Sequence, residues 1–309
     1  MKATGRAVAL LIAATTLWGA SSAWIATITA PSAGSAAPVA AGGALSILAF
    51  CLVRGERPWR VFAADRRLFL LLGLLEMANL VLYVAALRLG PLPVVVALHL
   101  TSPVLIIVTH VLTGRRRFGL AVAVELLLVA TAIMLVATDR ADSNDTGSVA
   151  AGCVLAVASA ACVAGLVTLV ARHSAGRSTA ASAGLQLLMA AGFCVPPMVV
   201  SPPAAAAAAE LTAVGAILLG PGFACYWWAL ETADATTAGI IGLNEAVAAA
   251  SVGALLTGTS LTVTTLFAGA LVLMAVAVQV RSGAPHALPP RTPHRPAGPC
   301  HPSRSRRRC

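Results

Sequence analysis

Apolar stretches long enough to cross a bilayer recur along the chain, separated by short clusters of charged and helix-breaking residues. They cover about residues 7–29, 38–53, 68–88, 93–113, 118–138, 148–171, 181–200, 208–230, 236–256 and 262–280. A helix needs about 20 predominantly apolar residues to span the hydrocarbon core. In lipid, moreover, a spanning segment must satisfy its own backbone polar groups. The pattern therefore predicts an all-α, polytopic membrane protein of ten transmembrane helices. The first stretch follows Lys2 and Arg6 like a signal peptide. Its apolar run exceeds the roughly 7–15 residues of a signal-peptide core, so it is expected to stay as a span.

Within this pattern one passage occurs twice, 143 residues apart. Tyr83-Val-Ala-Ala-Leu87 leads to Leu92-Pro93 and Thr101-Ser102-Pro103; Tyr226-Trp-Trp-Ala-Leu230 leads to Ala235-Thr236 and Asn244-Glu245-Ala246. Thr113-Gly114 and Thr257-Gly258 close the two copies, one residue out of step. The first copy lies across segments 3 and 4, the second across segments 8 and 9. An offset of five segments is odd, so the copies run through the membrane in opposite directions. The expected organisation is two inverted five-helix repeats, residues 1–140 and 141–281, followed by a tail at 282–309. Inverted repeats are a signature of secondary transporters, which bind substrate near the midplane at the repeat interface.

Composition closes off the water-soluble classes. Hydrophobic residues make up 59% of the chain and charged residues 10%, with a mean hydropathy of +0.89; soluble domains carry about 25% charged residues. Charge also sets a direction. With the N-terminus in the cytoplasm, 19 of the 21 Lys and Arg fall in inside segments, and only Arg88 and Arg140 fall outside. By the positive-inside rule both termini are cytoplasmic, in the plasma membrane. The Pro- and Arg-rich tail has too little apolar content to fold alone. Its Arg304–Arg308 cluster is drawn to anionic lipid headgroups by about 1 kcal/mol per charge, which makes the bilayer the expected partner and nucleic acid not one. None of the seven cysteines has C-x-x-C spacing, and nothing resembles a phosphate-binding loop, a metal site or a nucleophilic triad. No cofactor or metal is expected, and transport energy must come from a gradient.

Several motifs carry a resemblance. Trp18-Gly19, Ala86-Leu87 followed by Pro103, and Ala229-Leu230 followed by Asn244-Glu245 resemble the EamA-type ten-span proteins of the drug/metabolite transporter superfamily, over about residues 7–280. The stretch Pro91–Pro103 is more weakly similar to the threonine/homoserine exporter branch, which has Glu where this chain has His99. The family's Gly-Glu endings read Gly114-Arg115 and Gly258-Thr259 here, and its Glu-Pro reads Glu245-Ala246. The Arg often found in its second span is missing, with Gly42-Gly43 in that region. The resemblance implies a carrier of small molecules and puts Glu245 at a family motif.

Ionisable side chains inside spanning helices cost roughly 2.5–3.5 kcal/mol on insertion scales, so Glu76, His99, His110, Glu125 and Glu245 stand out. Glu76 lies about 12 Å along segment 3, at 1.5 Å per residue. Asn79 and Tyr83 follow at i+3 and i+7, on the same face. A carboxyl group there can exchange a proton during a transport cycle, or simply hydrogen-bond a neighbouring helix. Pro103 frees the carbonyl of His99 four residues earlier, so this stretch can line a pocket or hold a packing histidine. Asn244 and Glu245 mirror Thr101 and Ser102 across the repeat; their rival role is a helix-packing hydrogen bond. Trp18, Tyr226, Trp227 and Trp228 can line a cavity or sit at an interface, and the repeat favours Tyr83 with Tyr226. His110 reads as interfacial and Glu125 as a packing or homodimer contact.

The expected pathway residues are thus Glu76, Asn79, Tyr83, His99, Pro103, Tyr226, Asn244, Glu245 and Trp18, around segments 3, 4, 8 and 9. The function they point to is secondary-active, proton-coupled export of a small metabolite (an amino acid or related amphiphile) or drug, rather than enzyme catalysis. The competing reading is a membrane protein of the same fold that does not transport, such as a lipid-handling enzyme or a regulatory subunit.

Overall fold

The structure, a computed structural model, describes residues 5–112, 119–139, 146–173, 178–231, 233, 241–242, 244–258 and 263–282. Among these, all regular structure is helical. Segments 1 to 3 are α1 (Gly5–Thr27), α2 (Ser32–Val53) and α4 (Arg66–Leu89), with a short α3 (Pro58–Ala64) before the third. Segment 4 is split into α5 (Leu92–His99) and α6 (Ser102–Leu112); α7 (Leu120–Asp139) and α8 (Thr146–His173) follow. Segment 7 is α9 (Thr179–Phe193) and α10 (Val195–Val200). Segment 8 runs from α11 (Ala205–Val214) through a π-turn (Gly215–Leu219) into α12 (Gly220–Leu230). The last two helices are α13 (Asn244–Thr257) and α14 (Val263–Ser282). Among the described residues, five helices are long and apolar enough to cross a membrane: Gly5–Thr27, Ser32–Val53, Arg66–Leu89, Ser148–Val170 and Ala205–Leu230.

Proline explains where helices break. It offers no N–H and crowds the carbonyl four residues back. Leu100 and Thr101 interrupt segment 4 just before Pro103, Cys194 interrupts segment 7 just before Pro196, and the π-turn of segment 8 lies just before Pro221. Helix starts are capped conventionally: the Asp65 carboxylate accepts from the Leu68 N–H, and Ser178 Oγ from the Ala181 N–H.

Packing is inverted relative to a soluble protein. The interior is rich in alanine, including Ala14, Ala40, Ala86, Ala97 and Ala156, while Leu45, Leu52, Val154, Ile217 and Leu255 face outward. Lipid gives no hydrophobic drive between helices, so small residues that let backbones approach are what bind them. At the crossing of α2 with segment 8, a Cβ on Gly215 would meet the Val39 carbonyl, and one on Gly42 the Thr212 carbonyl.

The neighbours of each segment follow a rule. Segment 1 packs on segments 8 and 9, and segment 6 packs on 3 and 4. Segment 3 also packs on 7, as 8 packs on 2; segments 2 and 7 pack on each other, as do 5 and 10. Side-chain bonds tie the segment ends together. Arg88, ending α4, donates to Ser35 at the start of α2, and Trp24 near the end of α1 donates to Glu210 in α11. Ser178 and Thr179, at the start of α9, donate instead to Glu56, just past α2, and to Glu231, just past α12.

Candidate functional site

Buried polar groups from α4 and α13 meet residues 15–22 of α1. On this helix Thr15, Trp18, Gly19 and Ser22 recur at spacings of three and four, which puts them on one face. Thr15 and Ser22 turn their hydroxyls onto the Leu11 and Trp18 carbonyls of the preceding turn, so they cost the apolar helix no unpaired donor.

One side of this face receives α4. Tyr83 donates from its hydroxyl to Ser22 Oγ at 2.8 Å, and its ring lies 4.3 Å, centroid to centroid, from that of His99 at a 32° tilt. Asn79 and Glu76 continue the same stripe toward the helix middle. Asn79 Nδ2 donates to Glu76 Oε1 at 3.1 Å, and Gln186 Nε2, from α9, donates to Glu76 Oε2 at 2.7 Å. Ser159, from α8, donates to Asn79 Oδ1 at 2.6 Å and lies 2.9 Å from His99 Nδ1. A serine hydroxyl has one proton. When that proton goes to Asn79, His99 can donate to Ser159 from Nδ1; the tautomer of the ring sets the direction of this bond. Glu76 is 1% exposed. Gln186 Oε1 is buried with no partner among the described residues.

The other side receives α13. Asn244 Nδ2 donates to Thr15 Oγ1 at 3.0 Å and to Thr16 Oγ1 at 2.9 Å. The first turn of α13 sits on Gly19, where any Cβ would collide with the Glu245 carbonyl oxygen. Glu245 is 5% exposed and makes no hydrogen bond to a described residue. It lies within electrostatic reach of both Tyr83 and Tyr226. Trp18 stacks against Tyr226 at 4.9 Å and Phe223 at 5.1 Å.

Of the residues singled out in the sequence, Glu76, Asn79, Tyr83 and His99 thus form one bonded chain. Asn244 and Glu245 from α13 and Tyr226 from α12 meet α1 beside Thr15, Thr16, Trp18 and Gly19. Pro103 lies in α6; its side chain, like those of His110 and Glu125, lies outside the described ones. Thr15, Thr16, Ser22, Ser159 and Gln186 are additions. The first three were accessible from the polar spacing on segment 1, whereas Ser159 and Gln186 are isolated polar residues whose partners lie on another helix. Among the described residues no group of three or more His, Cys, Asp or Glu could hold a metal ion.

Comparison with known proteins gives a likeness in sequence family and a likeness in fold. The model of the EamA-like transporter family matches residues 150–281. A solved structure titled only "Crystal structure of protein" is 20% identical, with the alignment covering 88% of this chain and 97% of that one at a TM-score of 0.58. At that identity the likeness concerns fold alone. No curated protein matches the chain.

Proposed function

We propose, from the match of the EamA-like transporter family model over residues 150–281, that the chain is a ten-span secondary carrier exporting a small metabolite (an amino acid or related amphiphile) or drug by alternating access. Two inverted repeats, residues 1–140 and 141–281, enclose the pathway, and the tail 282–309 lies on the cytoplasmic leaflet of the plasma membrane. Proton entry drives export, with Glu76 and Glu245 as the exchanging groups. Asn79, Tyr83, His99 and Pro103 from the first repeat, with Tyr226 and Asn244 from the second, line the route beside Trp18.

The observation that carries this reading is the buried polar cluster on α1, supplied from both halves inside an otherwise apolar interior. Polar and ionisable groups at that depth are costly and mark transport routes, and carriers place them where their repeats meet. The packing supports the inversion: the contacts of segment 1 with 8 and 9 and of 3 with 7 recur, after a shift of five segments, as those of 6 with 3 and 4 and of 8 with 2. The end contacts support it too. The offset of 143 carries Ser35 to Ser178 and Arg88 to Glu231. The first pair joins the start of α2 to the end of α4, whereas Ser178 bonds beyond the opposite end of α2.

Everted membrane vesicles test the reading. Cargo accumulation that collapses with the proton gradient, and is lost in the Glu245→Gln or Glu76→Gln protein, is the expected result. Turnover of a membrane substrate without flux would instead favour the enzyme reading. A C-terminal alkaline phosphatase fusion should be inactive; an active one would reverse the orientation.

A further inference from the structure

Arg88 stands apart from the polar cluster on α1. It lies at the end of α4, partly buried, and donates to Ser35 Oγ at 2.9 Å, while its Nε is buried with no partner among the described residues. Arginine carries five donors and no acceptor, so most of the binding capacity of this guanidinium is unused. No carboxylate among the described residues faces it; Glu210 of α11 accepts from Trp24 instead. Along α4 the stripe of Arg88 continues through Val84, Val81 and Met77 at spacings of four, three and four. Val81 and Met77 pack, together with Ala191 and Met198, on one cluster of small residues. Ala191 and Met198 also belong to the wall of a groove of about 280 Å³ between α2 and α9–α10. Pro38 and Ala41 form one side of it, and Leu188, Gly192 and Val195 the other. Leu188 and Val195 are exposed at the rim, so the groove opens outward, where lipid lies. Pro38 and Ala41 follow Ser35 by about 4.5 and about 9 Å along α2, at 1.5 Å per residue. The groove thus begins one helical turn from the guanidinium.

An apolar groove facing the bilayer selects nothing alone, because lipid tails cover every outward face. A guanidinium with unused donors at its head changes that. Phosphate oxygens match the paired donors of arginine, and such charge-assisted bonds are the strong kind. A second copy of the chain suits the patch less well. A two-fold dimer sets the same patch against itself, which would bring two guanidiniums together with no acid between them. We propose that this face binds an anionic phospholipid, its phosphate on Arg88 beside Ser35 and one acyl chain along the groove between α2 and α9–α10. A zwitterionic headgroup carries its own cation next to the phosphate and pairs less well. On the orientation proposed above, the lipid belongs to the outer leaflet. The site requires only that the chain spans a membrane, and holds whatever the chain transports. A lipid seated there ties the end of α4 to the seam where segments 2 and 7 pack on each other.

The test is native mass spectrometry of the purified full-length protein in detergent, titrated with dioleoyl phosphatidylglycerol or dioleoyl phosphatidylcholine. The first phosphatidylglycerol should bind about tenfold more tightly than the phosphatidylcholine, a difference of about 1.4 kcal/mol. Arg88→Gln should lose that margin. Arg60→Gln, at an exposed arginine of α3, should keep it, which separates a site from the general attraction of basic surfaces to anionic lipid. Gly192→Leu, where nothing lies within 4 Å of an added Cβ, should fill the groove without disturbing the helices and weaken the binding of both lipids. If Arg88→Gln does not purify as a monodisperse protein, Arg88→Lys carries the comparison and should narrow the margin, because an ammonium cannot make the paired bonds. Millimolar sn-glycerol 3-phosphate should leave the bound lipid in place; displacement would assign Arg88 to a free phosphate and overturn the lipid claim. A margin that survives in Arg88→Gln, lipid binding indifferent to Gly192→Leu, or a dimer that Gly192→Leu dissociates likewise overturns the proposal.

Discussion

Glu76 is held by donors from two helices, and what replaces it determines whether they stay paired. In Glu76→Leu the amides of Asn79 and Gln186 lose their acceptor inside the bundle. A buried unsatisfied group costs about 1–3 kcal/mol, although interhelical bonds in membranes average only about 0.6 kcal/mol. Glu76→Leu should therefore lower the melting temperature of the detergent-purified protein by a few degrees. Glu76→Gln should stay near the parent, because the new amide can donate to the free Oε1 of Gln186 while its oxygen accepts from Asn79. Equal melting of both variants would show that the bonds are not held in solution. Much of this stripe is legible in one helix alone, since Glu76, Asn79 and Tyr83 share a face by spacing. Its partners are not. Whether Ser159 or Gln186 meets Glu76's face depends on which helices touch and at what rotation, and the apolar sequences around them are nearly uniform in every direction.

At the scale of elements, apolar runs marked out the helices because lipid demands a minimum length and tolerates few charges. Three interruptions inside those runs, at Leu100–Thr101, at Cys194 and at Gly215–Leu219, follow from Pro103, Pro196 and Pro221. Proline was visible in the sequence, but whether it produces a kink, a break or a π-turn depends on what the neighbours can accommodate. The short α3 lies in the charged connection between segments 2 and 3; Val61, Phe62 and its two alanines are apolar, and Trp59 adds a fifth apolar residue. Close crossing is equally a property of pairs. Gly215→Val should push segment 8 off the Val39 carbonyl, at about 1–3 kcal/mol or more for overpacking, with loss of monodisperse protein. Gly269→Val, where nothing lies within 4 Å of an added Cβ, is the comparison and should purify normally. If both behave alike, the α2 crossing is not a tight one.

For the whole molecule, alternating access requires the two ends to part in turn. Cross-linking Thr179→Cys to Glu231→Cys with a short bifunctional thiol reagent should stop flux, and so should joining Ser35→Cys to Arg88→Cys; cleaving the link should restore it. Flux that persists through both links would mean that neither end moves. The polar part of each closure is small. Arg88 to Ser35 at 2.9 Å and Thr179 to Glu231 at 2.8 Å are each a bond of roughly 1 kcal/mol net, supplemented at the second end by Ser178 to Glu56. Polar contacts of that size add little to the balance between the states that the proposed carrier would visit. A ligand tips such an equilibrium only by its difference in affinity for the two states. Moving it from 1:99 to 99:1 takes about 5.5 kcal/mol of that difference. On the carrier reading proposed above, neutralising the Glu245 carboxylate in one state and leaving it bare in the other would supply a difference of that kind, because an unpaired buried charge costs several kcal/mol.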